Sequence, residues 1–208
     1  MLVLGITGNI ASGKTSVARM LKKRTGGVIV NADEVLKELT TPESTVWGKI
    51  VQLFGKEIVA PKSKELNRAK IAEIVFKDIE KLKKLEAITH PSITRSIKQK
   101  INAISKKAPN TVIIVEAIKL LDSTIEPLVD AVLLVTTERE LQFNRLMQDR
   151  DFSMPQAVAR VGAYTAPTKH AKISWKLENK GTIEELEKKV IELAKEIDIM
   201  PKTDRIKK

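Results

Sequence analysis

Two glycines, a lysine and a threonine at the spacing Gly8-x-x-x-x-Gly13-Lys14-Thr15 make a loop suited to holding phosphate. The glycines let the backbone curl until its N–H groups converge on anionic oxygens, and a helix starting behind the loop adds its positive end. Lys14 would reach the β- and γ-phosphates of a nucleoside triphosphate, and the Thr15 hydroxyl would ligate Mg²⁺. The run Gly8-Asn9-Ile10-Ala11-Ser12-Gly13-Lys14-Thr15-Ser16 is therefore read as the nucleotide site.

Three other places carry groups with matching chemistry. Asp33 follows the apolar run Val28-Ile29-Val30, so it emerges at the sheet edge where open α/β folds bind ligands. A carboxylate there can take the proton of an attacking hydroxyl or hold a metal-bound water; equally, it can N-cap a helix over 34–39. Glu116 ends the run Val112-Ile113-Ile114-Val115 in the manner of a Walker-B strand, and either contacts Mg²⁺ through water, supports an acceptor site, or is satisfied by nearby backbone. Arg145 and Arg150 lie on one helical stretch, where guanidinium groups suit the equatorial oxygens of a transferring phosphoryl group. Solvated surface charge is the alternative for both. His90 stands before Pro91, where it either caps a helix start or lines an acceptor pocket, and no second histidine or cysteine stands at zinc-ligand spacing.

Such groups need a sheet to position them. The runs 2–6, 27–30, 111–115, 131–135 and, more weakly, 173–177 are short, rich in β-branched residues and continuous rather than alternating, the signature of buried parallel strands. Helical patterns separate them, so the expected fold is α/β, a doubly wound five-stranded parallel sheet. Thr137-Glu138-Arg139-Glu140 and Thr182-Ile183-Glu184-Glu185 read as capping boxes. Ile183, Leu186, Val190, Leu193 and Ile197 form a packing stripe on the last helix. Some 75 residues without a strand signal follow the second strand, with helical patterning around Trp47, Ile50 and Phe54, around Ile71 and Val75, and from Ile93 to Ile104 after Pro91. They read as an inserted helical domain. Phe152-Ser153-Met154-Pro155 breaks one helix and starts another containing Arg160, the outline of a lid.

Composition narrows the partners. The 208-residue chain has a net charge of +11, but its lysines are spread along helices and only 3% of residues are aromatic, too few to stack bases. No nucleic-acid role is expected. No apolar run is long enough to span a bilayer, so no membrane role is expected either. The absence of cysteine and an opening directly on a core strand fit a cytoplasmic protein without a cleavable leader.

The motifs together resemble the dephospho-coenzyme A kinase family from Met1 to about Ala194. Residues 5–15 resemble its phosphate loop and Asn31-Ala32-Asp33 its Asp-Ala-Asp. Leu66-Asn67-Arg68 through Val75-Phe76, Leu82 to Glu86, and His90-Pro91-x-Ile93 resemble its helical acceptor domain and are the discriminating part. Arg145-Leu146-Met147 with Arg150-Asp151 resembles its lid, and Glu178-Asn179-Lys180-Gly181 a late adenine-side loop. The chain departs from the family pattern in four places: Asn31 stands for the first Asp, Glu116-Ala117-Ile118-Lys119-Leu120-Leu121 stands where the family has Pro-Leu-Leu-Phe-Glu after the third strand, one extra residue precedes Arg150, and Tyr164 stands where glutamine is common. The resemblance implies ATP-dependent phosphorylation of the 3′-hydroxyl of dephospho-coenzyme A, with ATP and Mg²⁺ required. It implies Asp33, Lys14 and Arg145 as catalytic groups, Gly8 to Ser16 with Arg145 and Asn179 around ATP, and Asp33, Arg68, His90 and Glu116 around the acceptor. The expected organisation is one kinase domain over 1–200: a nucleotide core of 1–41, 108–137 and 171–200, an acceptor-binding insertion of 42–107, a lid of 138–170, then a flexible basic tail of 201–208. A monomer or weak homo-oligomer is expected. A kinase for another nucleotide or small alcohol, and a phosphate-loop regulatory switch, are the competing readings.

Overall fold

In the computed structural model, which describes residues 1–199, the five apolar runs pair into one sheet in the order β2-β3-β1-β4-β5, every ladder parallel. The strands are β1 (Leu2–Thr7), β2 (Val28–Asn31), β3 (Val112–Glu116), β4 (Ala131–Thr136) and β5 (Ile173–Glu178). The helices are α1 (Lys14–Thr25), α2 (Ala32–Leu39), α3 (Thr45–Phe54), α4 (Arg68–Lys77), α5 (Ile79–Lys107), α6 (Arg139–Arg150), α7 (Met154–Gly162) and α8 (Ile183–Ile199). β1, buried at every residue, is central, with β3 and β4 paired to its two edges. On one face Leu2, Leu4, Ile6, Val112, Ile114, Leu133 and Val135 pack against Val17, Ala18 and Leu21 of α1 and Leu186, Val190 and Ile197 of α8. No helix of the described residues is long and apolar enough to cross a membrane.

Contacts divide the chain into two units, Met1–Asn31 with Lys100–Lys208, and Ala32–Gln99. The first holds the sheet. The second has its own core of Val46, Ile50, Phe54, Ile58 and Ile71, which explains the helical spacing of those residues.

Four local expectations are corrected. No helix starts at Pro91: α5 runs unbroken through it, with His90 exposed in its middle. Proline there forgoes one backbone bond at a cost of about 3 kcal/mol. Burial of Ile93, Ile97 and Ile101 on the following turns outweighs that, at roughly 1.5–3 kcal/mol per side chain. The first capping box does not form: the Thr137 hydroxyl donates to the Asn179 carbonyl at 2.6 Å, and α6 starts after Glu138 with no side-chain cap. Asp33 does not cap α2 but lies inside its first turn. Ile183 is left out of the packing stripe, 57% exposed, while Leu186, Val190, Leu193 and Ile197 are buried. The box at Thr182 and Glu185 does form, with bonds of 3.3 and 3.1 Å between each side chain and the other residue's N–H. The tail at 201–208 lies outside the described residues.

Candidate active site

The phosphate loop is built by close backbone approach. Gly8 has φ +148°, and a Cβ on it would stand 2.0 Å from the Val135 carbonyl oxygen; Gly13 has φ +90°, and its Cβ would stand 2.2 Å from Asn179 Nδ2. Neither position has room for a side chain. No acidic residue occupies the first turn of α1, so no carboxylate there offsets the positive end of the helix. Lys14 is only 7% exposed and its ammonium donates to the Asn9 carbonyl at 2.7 Å, which lays the charge across the loop. Ser12 Oγ is buried without a hydrogen-bond partner. Thr15 and Ser16 are exposed. Ile10 and Ala11, the loop's crown, pack against Leu146, Ala157 and Val161 of α6 and α7, so the two lid-like helices rest on the loop itself.

Two side chains fasten that crown. Arg145, one turn from the end of α6, donates through Nη1 to the Ala11 carbonyl at 3.0 Å and through Nη2 to the Asn179 carbonyl at 3.2 Å. Asn179, buried just past β5, donates through Nδ2 to the Ser12 carbonyl at 2.9 Å, while its own N–H bonds Thr136 O. A fork of fixed geometry and a buried amide thus hold the successive carbonyls of Ala11 and Ser12. On the other side of the loop, Glu116 is buried at the end of β3 with both oxygens engaged. Oε1 accepts from the Thr15 hydroxyl at 2.5 Å and Oε2 from Asn31 Nδ2 at 2.8 Å. Backbone satisfaction, one reading of Glu116, is replaced by two side-chain partners.

Gly8 to Ser16, Glu116, Arg145 and Asn179 therefore share one site in the sheet unit. Asp33, Arg68 and His90 belong to the helical unit, where Arg68 donates to Thr40 Oγ1 at 2.7 Å and all three are exposed. Sequence reasoning missed Thr137, whose hydroxyl fixes the Asn179 carbonyl that Arg145 also binds. It was hidden because a threonine before a helix reads first as a cap. It also missed Asp122, which accepts from the Tyr164 hydroxyl at 2.8 Å and ties the segment after α7 to the turn after β3. Burial, with the Asp122 bond, pushes the Tyr164 phenol well above its ordinary value. Among the described residues no cluster of three or more His, Cys, Asp or Glu side chains could hold a metal alone.

The model of the dephospho-CoA kinase family matches residues 2–185. A dephospho-CoA kinase of Carboxydothermus hydrogenoformans is 32% identical over 190 residues, 91% of each chain. That of Geobacillus kaustophilus is 32% identical over 202 residues, covering 97% of this chain and 99% of its own. A crystal structure of a Thermus thermophilus protein superposes with a TM-score of 0.75 at 29% identity, covering 94% of this chain and 97% of the other.

Proposed function

The chain belongs to the dephospho-CoA kinase family, which carries out the last step of coenzyme A biosynthesis, and from that premise we propose how its own residues perform the transfer. The reaction joins the ribose 3′-oxygen of dephospho-CoA to the γ-phosphorus of ATP and breaks that phosphorus's bond to the β,γ-bridging oxygen. ADP leaves and the hydroxyl proton is released. Such a transfer is catalysed mainly by positioning and charge.

Lys14, the α1 N–H groups and the unpartnered Ser12 hydroxyl bind the β- and γ-phosphates. Arg145 and Asn179 keep the loop in its phosphate-binding shape and line the nucleotide side. Asp33 orients the 3′-hydroxyl and takes its proton. Arg68, His90 and the helical segment 42–107 receive the acceptor, with lysines and Arg68 for its phosphates and apolar helix faces for its pantetheine arm. The segment 138–170 acts as a lid that excludes water.

The donor set beside the loop fits Mg²⁺. The Thr15 hydroxyl and the Glu116 carboxylate are hard oxygen ligands, too few to cage the ion without substrate phosphates, which is how Mg²⁺ is usually held. Thr15 would ligate it and Glu116 would orient that hydroxyl; when bound, Mg²⁺ neutralises the charge of the β- and γ-phosphates. A cysteine-free chain with no membrane-spanning helix among the described residues suits a reducing cytoplasm, working as a monomer or weak homo-oligomer.

The observation that carries this reading is the loop fastened at the Ala11 and Ser12 carbonyls, with the buried Ser12 hydroxyl unpartnered inside it. Coupled ADP release tests it. Dephospho-CoA should be turned over in strong preference to a panel of nucleoside monophosphates, with little ADP formed when no acceptor is present. Equal turnover of the monophosphates would overturn the acceptor assignment.

A further inference from the structure

Asn31 and Glu116 end neighbouring strands in register, and their side chains touch. Asn31 Nδ2 donates to Glu116 Oε2 at 2.8 Å, while Glu116 Oε1 accepts from the Thr15 hydroxyl at 2.5 Å. Glu116 is 5% exposed, so water cannot fix its carboxylate, and among the described residues Asn31 and Thr15 hold its two oxygens.

We propose that Asn31 is a positioning residue for phosphoryl transfer, acting through Glu116 on Thr15. By holding Oε2 it stops the carboxylate from turning, so Oε1 receives the Thr15 hydroxyl hydrogen and the hydroxyl's lone pairs point away from Glu116, open to a divalent cation. An amide suits this role because it donates and adds no charge, whereas a second carboxylate would set two acceptors against each other. The inference rests on the reading of Thr15 as a Mg²⁺ ligand.

The order of donor and acceptor can be reversed without losing the chain of bonds. In Asn31→Asp combined with Glu116→Gln, the new amide donates to the new carboxylate while its oxygen still accepts from Thr15. One negative charge remains. This variant separates positioning from the identity of either residue.

The test titrates Mg²⁺ against a fluorescent ATP analogue, with a parallel measurement in EDTA. Asn31→Ala should raise the Mg²⁺ midpoint about ten-fold or more, the usual effect of removing an outer-shell partner, and leave affinity in EDTA unchanged. The double variant should return the midpoint to within about three-fold of the parent protein. An unchanged midpoint in Asn31→Ala overturns the proposal, as does an equal loss of binding in EDTA. Should Asn31→Ala not fold, the double variant decides: a midpoint still raised about ten-fold refutes the positioning role. Thr15→Val keeps the two failures apart. If it leaves the midpoint unmoved, the Mg²⁺ reading fails and this inference with it; if it shifts the midpoint and Asn31→Ala does not, only the role of Asn31 fails.

Discussion

Replacing Arg145 by lysine keeps the charge and removes the fork, which makes Arg145→Lys the sharpest test of how the loop is held. The guanidinium reaches two carbonyls at once, Ala11 at 3.0 Å and Asn179 at 3.2 Å, through different nitrogens. One ammonium on a flexible stem can keep only one of them at good geometry. A hydrogen bond involving a charged group contributes about 1.5–3 kcal/mol, so losing one should lower kcat/KM about 10- to 100-fold. The loss should fall mainly on KM for ATP, because the loop must then be reshaped by the nucleotide. Arg145→Ala loses the charge as well and should be about ten-fold worse again. Coupled ADP release with ATP varied at saturating dephospho-CoA gives both constants, and a urea midpoint separates local loosening from global unfolding. If the lysine variant stays within about three-fold of the parent, charge alone suffices and the fork argument is wrong.

The remaining predictions span chemistry and stability. Asp33→Asn should lower turnover roughly 10²–10⁴-fold with ATP binding retained, if Asp33 is the base; as a first-turn residue serving only the helix dipole it would cost about 0.3–1 kcal/mol of stability and no turnover. Asp151 ends α6 at φ 54° with an acidic side chain at the negative helix end, so Asp151→Gly should raise the stability measured by urea unfolding by about 1 kcal/mol. The phenol of Tyr164 is held above its ordinary value, so the folded state binds that proton more tightly than the unfolded chain does. Its stabilisation is fully present below about pH 10, the unfolded value, and is lost as pH rises beyond it. Tyr164→Phe should therefore cost about 1 kcal/mol at neutral pH and lose less than the parent between neutral and strongly alkaline pH; equal alkaline losses in the two proteins would refute the argument.

What the sequence made legible was whatever periodicity and single motifs encode. All five strands fall within about a residue of their apolar runs: β1, β3 and β4 are buried along almost their whole length and carry few polar residues, while the edge strand β5 alternates exposed with less exposed residues and gives the weaker signal. The loop was legible because its glycines answer a backbone need that no other residue meets. Interactions between distant segments were not. Nothing local says that Thr137 turns to Asn179, 42 residues on, instead of capping its own helix. Pro91 is the opposite case, where a strong local signal was overridden: the buried isoleucines after it hold α5 helical although its N–H is missing.

Glu116 shows why that limit falls on the site itself. Its position at the end of β3 was readable, yet its role depends on which side chains flank it, and those come from α1 and β2, 101 and 85 residues away. A carboxylate beside an asparagine and a threonine is an orienting group with one charge. The same carboxylate beside a second acid would instead be forced to share a proton or a cation. The chemistry at the end of a strand is thus settled by the order in which strands are laid side by side. Here that order, β2-β3-β1, brings Asn31, Glu116 and the strand leading to Thr15 into adjacency.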